Sequence, residues 1–181
     1  LAKAPDLSKM SADELCGQLK ADWRYIRYQA KRRLADLSKD EVIPVITNWM
    51  DQLDQGDPNL EHHLYEAIGV FESHEVVNRS LLERLLVAKD YRARAYATRV
   101  AGRWHDRLES PLELLDRSVT DESARVRLEA IVACSDIHVA NSMVVAAKAA
   151  SRPIDRFANF ALTQTVHALA PWWRPALNQG Q

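Results

Sequence analysis

The stretch that decides the fold is Val126-Arg127-Leu128-Glu129-Ala130: an apolar residue, then an arginine, then an alanine three positions after the arginine. The same frame recurs at residues 26–30 and 93–97, as Ile-Arg-Tyr-Gln-Ala and Ala-Arg-Ala-Tyr-Ala. Looser copies without the arginine occupy residues 63–67 and 157–161. Five copies in one chain indicate an internal repeat, and a repeat of this kind determines the fold class.

The spacing of the repeated alanine gives the size of the repeating unit. Successive copies are 37, 30, 33 and 31 residues apart, counted between Ala30, Ala67, Ala97, Ala130 and Ala161. That length holds two helices and two short turns, the usual unit of a helical solenoid. Apolar residues around each alanine recur at steps of three and four, which predicts one buried stripe per helix.

Acidic capping residues and the apolar run in the second half of each repeat predict where the helices begin and end. An acidic residue lies just ahead of each apolar stripe and is predicted to be a helix cap or a first-turn charge that accepts from free N–H groups. These residues are Asp22, Asp57, Asp90, Asp121 and Asp155. Second helices are predicted at 40–54, 77–88, 110–119 and 138–149. We expect one domain over 1–181, with an N-terminal capping helix within 11–20 that starts at Ser11 and has Glu14 at its capping-box position. The repeats are expected at about 22–55, 57–88, 90–119, 121–150 and 153–178, the last one short.

This arrangement resembles the HEAT repeat family, whose first helix typically carries an Asp and then Val-Arg-x-x-Ala; the resemblance covers about residues 22–170. It implies an all-α fold, an α-α superhelix of the HEAT or armadillo-like type with about five helical pairs. The small alanines would let helices approach closely, while Arg27, Arg94 and Arg127 would reach acidic groups or free carbonyls at helix ends. The open alternative is an ordinary helical bundle whose alanines recur by chance.

Composition narrows the classes of function. Twenty-four Lys and Arg against 25 Asp and Glu give a formal charge of −1, without the basic excess typical of proteins that bind nucleic acid or anionic lipid. Five glycines and no alternating β-branched run argue against strands. Cys16 and Cys134 form neither CxxC nor CxxCH and are predicted to be buried free thiols. No apolar stretch approaches the roughly 20 residues of a membrane span, so no membrane insertion is expected.

A second, longer resemblance runs through several of these segments: residues 59–67, 82–86, 88–90, 97–100, 125–130 and 169–177. Together they resemble the HEAT segment of large planctomycete-type secreted proteins described as membrane-bound dehydrogenases or haem-binding proteins. In that family the segment lies between a sugar-dehydrogenase-like β-propeller and a cytochrome c domain. The resemblance implies a periplasmic or secreted parent with redox chemistry on other domains, from which we expect this chain to be excised. Because CxxCH is absent, no haem-ligand residue carries over.

The strongest candidate for a catalytic or metal-binding cluster is formed by His62 and His63 beside Glu61 and Glu66. His62 and Glu66 are i, i+4 neighbours and could offer two ligands to a metal, but a protein site normally needs three or four. His63 takes the apolar position of its repeat, so we interpret it as packed and His62 as surface, with a metal site as the alternative. GxSxG, P-loop, GxGxxG and HExxH motifs are absent, so the sequence predicts no catalytic, cofactor-binding or metal-binding residue.

Two other groups of side chains are candidates for contacts with partners. Trp172 and Trp173, between two prolines, are the candidate interface residues because exposed tryptophans favour interfaces; equally, they could close the open core of the last repeat. A basic cluster could contact phosphate, but aromatic residues share its helix, so we interpret it as a solvated face with one inter-repeat arginine. The cluster is Arg24, Arg27, Lys31, Arg32 and Arg33.

The leading hypothesis for function is a non-catalytic scaffold whose second helices line a protein-binding surface or hold flanking domains of the same chain. The main alternative is a helical-repeat module that binds nucleic acid, against which the near-neutral charge argues. A third hypothesis is a helical-repeat lyase or hydrolase that uses His62 and Glu66. The sequence predicts a protein partner, no nucleic acid and no cofactor.

Overall fold

Helices are the only regular secondary structure in the computed structural model, which describes residues 5–180. No strand occurs over that range, so the all-α prediction is confirmed. Short 3-10 turns lie at Leu7–Lys9, Gln18–Lys20, His105–Arg107 and Lys148–Ser151. The α-helices are α1 Ala12–Gly17, α2 Arg24–Asp36, α3 Lys39–Asp51, α4 Leu60–Ser73, α5 Arg79–Leu86, α6 Tyr91–Arg103, α7 Pro111–Ser118, α8 Ala124–Ser135, α9 Ala140–Ala147, α10 Arg156–Ala168 and α11 Ala170–Asn178.

Each of the five predicted repeats contains two of these helices. The first helices are α2, α4, α6, α8 and α10, and the second helices α3, α5, α7, α9 and α11 follow them at the predicted places. The expectation of a short last pair is wrong, because α10 has 13 residues and α11 has nine, whereas α8 and α9 have 12 and eight. Pro175 lies inside α11 without ending it.

The N-terminal helix α1 begins as predicted. The hydroxyl of Ser11 accepts a hydrogen bond from the backbone N–H of Glu14, and the carboxylate of Glu14 accepts one from the backbone N–H of Ser11 at 2.8 Å. This capping box satisfies two donors that the first turn of a helix leaves free. The helix ends at Gly17, before the predicted limit, and continues as the 3-10 turn Gln18–Lys20.

The five acidic residues ahead of the first helices divide into two kinds. Asp90 and Asp155 are N-caps, with side chains that accept from N–H groups of the first turn. Asp57 and Asp121 lie two residues upstream of the N-cap and accept the N–H of that cap residue, at 2.7 and 2.8 Å. Asp22 also precedes its helix, since Trp23 is the N-cap. The prediction of caps or first-turn charges is therefore wrong for three of the five, because the chain makes an extra turn before those helices.

The chain divides into two compact units, residues 1–81 and 82–181. In the first unit α2 packs on α4, and α1 packs on both α2 and α3. Its core consists of apolar residues at helical spacing on these elements, including Leu15, Ile26, Ala30, Leu34, Val42, Ile46, Ala67 and Phe71. The sequence prediction of a single domain over 1–181 stays a prediction.

The second unit is organised around α8, which packs against α6 and α10 and also contacts α7 and α9. Its core includes Trp104, Leu115, Val126, Ala130, Ile131, Cys134 and Ala146. Helices α6 and α8 come very close together at Gly102, where a Cβ would lie 2.6 Å from the Cβ of Ala133. Only glycine leaves room for the two helices at this point.

Candidate protein-interaction groove

The three repeated arginines make the same hydrogen bonds to the turn before their own helix. In each case Nη1 donates to the carbonyl oxygens five and six positions earlier in the chain, at 2.7–3.0 Å. The residues are Arg27, Arg94 and Arg127. These carbonyls precede a helix and have no place in its hydrogen-bond ladder, so the guanidinium closes each turn onto the helix that follows.

The other edge of the Arg94 guanidinium reaches the following repeat. Its Nε and Nη2 donate to both carboxylate oxygens of Asp121, at 2.8 and 3.0 Å, and Nη2 also contacts Glu122. The hydrogen bond that Arg94 donates to Asp121 raises the pKa of Arg94. Partial burial acts to raise the pKa of Asp121, but the hydrogen bonds from Arg94 and from the N–H of Ser123 outweigh it, so that pKa is lowered.

Arg27 and Arg127 cross to the next repeat through different acceptors. Arg27 donates from Nε to the carboxylate of Glu66 in α4 at 2.9 Å, and Arg127 donates from Nη2 to the carbonyl of Pro153 ahead of α10 at 2.8 Å. Arg94 and Arg127 are buried. All three arginines therefore join structural elements within their own unit and are not exposed to a ligand.

The five repeated alanines lie in the interior of the protein. Four of them have no exposed surface, and Ala161 is 9% exposed. They are Ala30, Ala67, Ala97, Ala130 and Ala161. Ala161 packs in one cluster with Ile131, Ala149 and Ala158, which joins α10 to α8 and to the end of the fourth repeat.

The His62 and Glu66 cluster is built around a buried carboxylate. Glu66 is paired with Arg27 and Lys31, and His62 Nε2 lies 3.5 Å from it while its ring stacks on Tyr65. His63 is buried and contacts Asp57 at 3.1 Å. Among residues 5–180 no group of three His, Cys, Asp or Glu side chains could hold a metal ion. Glu66, in the second repeat, is the acidic partner of Arg27 in the first repeat. The sequence motif does not identify Glu66 as a partner, because the copy of the motif in the second repeat lacks the arginine.

The two cysteines are separate buried thiols. Burial raises the pKa of Cys16 to about 12, with a smaller contribution from Asp13, and burial likewise raises the pKa of Cys134 to about 12. Because the thiolate is the reactive form, neither cysteine is set up as a nucleophile at neutral pH.

The two tryptophans of α11 have different environments. Trp172 is 36% exposed and stacks on His138, with ring centroids 4.4 Å apart and planes 7° from parallel. Trp173 is partly buried, and its Nε1 donates to the carbonyl of Val166 in α10 at 2.9 Å. The hydrogen bond holds the Trp173 ring in one orientation, so this ring forms a fixed wall.

That wall belongs to an open apolar groove between α9 and α11. The groove has a volume of about 560 Å³. Its lining carries no charged side chain, and Asn141 is the polar member; the lining residues are Ala140, Asn141, Met143, Val144, Ala147, Trp173, Ala176 and Leu177. Val144 and Leu177 are 60% and 64% exposed. Apolar side chains this exposed in a concave site are typical of an interaction surface.

Comparison with known proteins does not assign a family or a function to the chain. No protein family model matches the chain, and no curated protein matches it in sequence. Across the described residues, no helix combines the length and the apolar character needed to cross a membrane.

Proposed function

We propose that this chain is a HEAT- or armadillo-like helical-repeat scaffold, with no catalytic role of its own, that binds a helical segment of a partner protein in the groove between α9 and α11. The observation that carries the proposal is this uncharged groove, which is walled by two second helices and has Trp173 held in place. The partner segment is a separate protein or a flanking domain of the same chain.

The repeated arginine contacts support the repeat fold. In three of the five repeats the guanidinium closes the turn ahead of the first helix and also bonds to the next repeat. A bundle with chance alanines would have no reason to reproduce the same two carbonyl contacts at each copy. The contact between consecutive first helices, α6 with α8 and α8 with α10, is the stacking that a solenoid requires.

The dimensions of the groove favour a helix as its occupant. The α9 wall runs from Ala140 to Ala147, about 10 Å at 1.5 Å per residue, which matches about two turns of a helix. An amphipathic helix with apolar residues at i, i+4 and i+7 would bury Val144 and Leu177 without leaving a charge unpaired. As a setting we propose a periplasmic or secreted multidomain protein with dehydrogenase or haem-binding domains, supported by the segment resemblance alone.

The test measures binding of a fluorescein-labelled amphipathic peptide of about 15 residues with leucines at i, i+4 and i+7, by fluorescence anisotropy. Val144→Asp and Leu177→Asp should each weaken binding about tenfold, because a carboxylate would be desolvated in an apolar site. Both side chains are exposed, so circular dichroism should show unchanged helix content. The matched control is Val132→Asp on α8, also an exposed valine within a helix but outside the groove, which should leave binding unchanged.

Two results would contradict the proposal. One is equal binding of a peptide with the same composition and scrambled leucine positions, which would indicate nonspecific apolar adhesion. The other is a concentration-dependent dimer in sedimentation velocity that Val144→Asp converts to monomer, because the groove would then be filled by a second copy of the chain.

A further inference from the structure

Three large aromatic side chains at the start of α2 are open to solvent: Tyr25 and Tyr28 within the helix and Trp23 at its N-cap. Trp23, Tyr25 and Tyr28 are 59%, 64% and 52% exposed. Over residues 5–180 none of the three makes a hydrogen bond or ring contact with another side chain. Exposed aromatic rings are typical of interfaces, and Tyr25 and Tyr28, three positions apart in the helix, lie on one face of α2.

Two arginines on the same face also have no partner. Of the five cations in the α2 cluster, Arg27 and Lys31 are used by Glu66, and Arg33 lies 3.8 Å from Asp36. The remaining two are exposed, and within the described part of the chain they form no ion pair or hydrogen bond; they are Arg24 and Arg32. The cluster is thus a solvated face with one inter-repeat arginine, Arg27, as interpreted from the sequence, and Lys31 is a second cation that reaches Glu66.

The unpaired residues form one inclined row along the helix. Arg24, Tyr28 and Arg32 are four positions apart, so each step rises about 6 Å along the helix axis, about 12 Å from Arg24 to Arg32, while the row turns gradually around the axis. In an extended peptide, side chains on one side recur every second residue, at about 6.6 Å. The two spacings match over three side chains.

We propose that this α2 face, defined by Arg24, Tyr25, Tyr28 and Arg32, is a docking surface for an extended acidic protein segment. The segment presents two carboxylates two side-chain steps apart with an apolar residue between them, in the pattern acid-x-apolar-x-acid. Each guanidinium binds one carboxylate, and the apolar side chain packs on the ring of Tyr28 with Tyr25 beside it.

The charges at the ends of the face favour a short acidic segment over a nucleic acid. Exposed Asp22 and Asp36 bound the positive strip on both sides. A phosphate backbone that runs past the strip would meet these carboxylates and would displace few counterions at two arginines. A five-residue acidic segment ends within the strip. The α2 face lies in residues 1–81 and the groove in residues 82–181, so this proposal stands on observations independent of the groove.

The experiment titrates the folded protein with three fluorescein-labelled peptides, each flanked by Gly-Ser. Their centres are Glu-Ala-Leu-Ala-Glu, Glu-Glu-Leu-Ala-Ala with the same composition and the wrong spacing, and Gln-Ala-Leu-Ala-Gln without charge. We expect the first peptide to bind at least fivefold more tightly than either of the others. Arg24→Glu/Arg32→Glu should weaken its binding at least tenfold, and should gain binding to Lys-Ala-Leu-Ala-Lys.

The control variant is Arg125→Glu on α8, another exposed arginine, which should leave all affinities unchanged. Three results would overturn the proposal: no binding of the first peptide at 1 mM, equal binding of the wrongly spaced peptide, or tighter binding of a 12-nucleotide oligothymidine that the same double variant abolishes. The last result would identify the face as a nucleic-acid surface.

Discussion

Adding a single methyl group at Gly102 should destabilise the protein, although the same substitution in an exposed helix is favourable. Gly102→Ala places a Cβ 2.6 Å from the Cβ and 2.9 Å from the Cα of Ala133 on α8. Carbon atoms in contact are ordinarily 3.5–4.0 Å apart, so α6 and α8 must separate by about 1 Å. The obstacle includes backbone, which cannot rotate away as a long side chain could.

The expected magnitude follows from two opposing contributions. Replacing glycine by alanine within a helix gains up to about 1 kcal/mol from backbone entropy. Overpacking a close-packed contact by one methyl costs about 1–3 kcal/mol, and the cost should lie in the upper half of that range because backbone atoms of Ala133 are among those that clash. The net loss should be about 1–2 kcal/mol, which in a chain of this size lowers the melting temperature by about 2–8 °C.

The assay is urea unfolding followed by circular dichroism, with two comparisons that isolate the cause. Gly17→Ala is the matched control: Gly17 has φ −55° and no atom within 4 Å of an added Cβ, so this variant should gain about 0.4–1 kcal/mol. Gly102→Ala/Ala133→Gly moves the methyl across the contact and should recover about 1 kcal/mol relative to the sum of the single variants. A Gly102→Ala protein as stable as the original, or strictly additive effects in the cycle, would refute the reasoning.

Three further predictions concern the repeat frame. Arg127→Ala should lower the free energy of unfolding by about 2–3 kcal/mol, because three backbone carbonyls lose a charged donor. The control Arg125→Ala, at an exposed arginine, should change it by less than about 0.5 kcal/mol. Equal effects of the two substitutions in urea unfolding would contradict the structural role of Arg127. Ala130→Leu should cost about 1–3 kcal/mol by overpacking, and an unchanged denaturation midpoint would show that the repeat frame is wrong. The pKa of Asp121 is lower in the folded state than in the unfolded state. The unfolded state therefore takes up its proton first as the pH falls, and the stabilisation from the pair with Arg94 is complete above about pH 5 and is lost progressively as the pH falls through the folded-state pKa. Asp121→Asn should be less stable at pH 7 and lose less stability on acidification; parallel pH profiles in thermal melts would show that the pair contributes nothing.

Local pattern was enough to predict most of the helices. The period of three and four around each alanine and the Ser11 with Glu14 box are properties of neighbouring residues, and helix formation depends on such neighbours. The same logic failed at Asp57 and Asp121, which lie before their caps. A carboxylate that can cap the helix can also accept an N–H in the turn ahead of it, and sequence does not distinguish the two.

The kind of partner that each repeated arginine has could also be predicted, but not which of the candidate groups each arginine takes. Position after the apolar stripe directs the guanidinium to the start of its helix, which is a local relation. Whether the second contact is a carboxylate, as for Arg94, or the carbonyl of Pro153, as for Arg127, depends on which group the next repeat brings within 3 Å. Glu66 became a partner of Arg27 for the same reason, although its own repeat lacks the arginine.

Function depends on what folding leaves uncovered, and this could not be read from residue types. The sequence does not distinguish Trp172 from Trp173, yet Trp172 stacks on His138 and Trp173 lines the groove. Arg24 and Arg27 belonged to one basic cluster, yet Glu66 takes only Arg27. The local sequence pattern determines the helices, their caps and the positions of the small residues between helices, because the hydrogen bonds and the periodicity involve neighbours in sequence. Grooves and unpaired charges arise only when distant helices meet, because burial and pairing are decided by the surfaces that pack together.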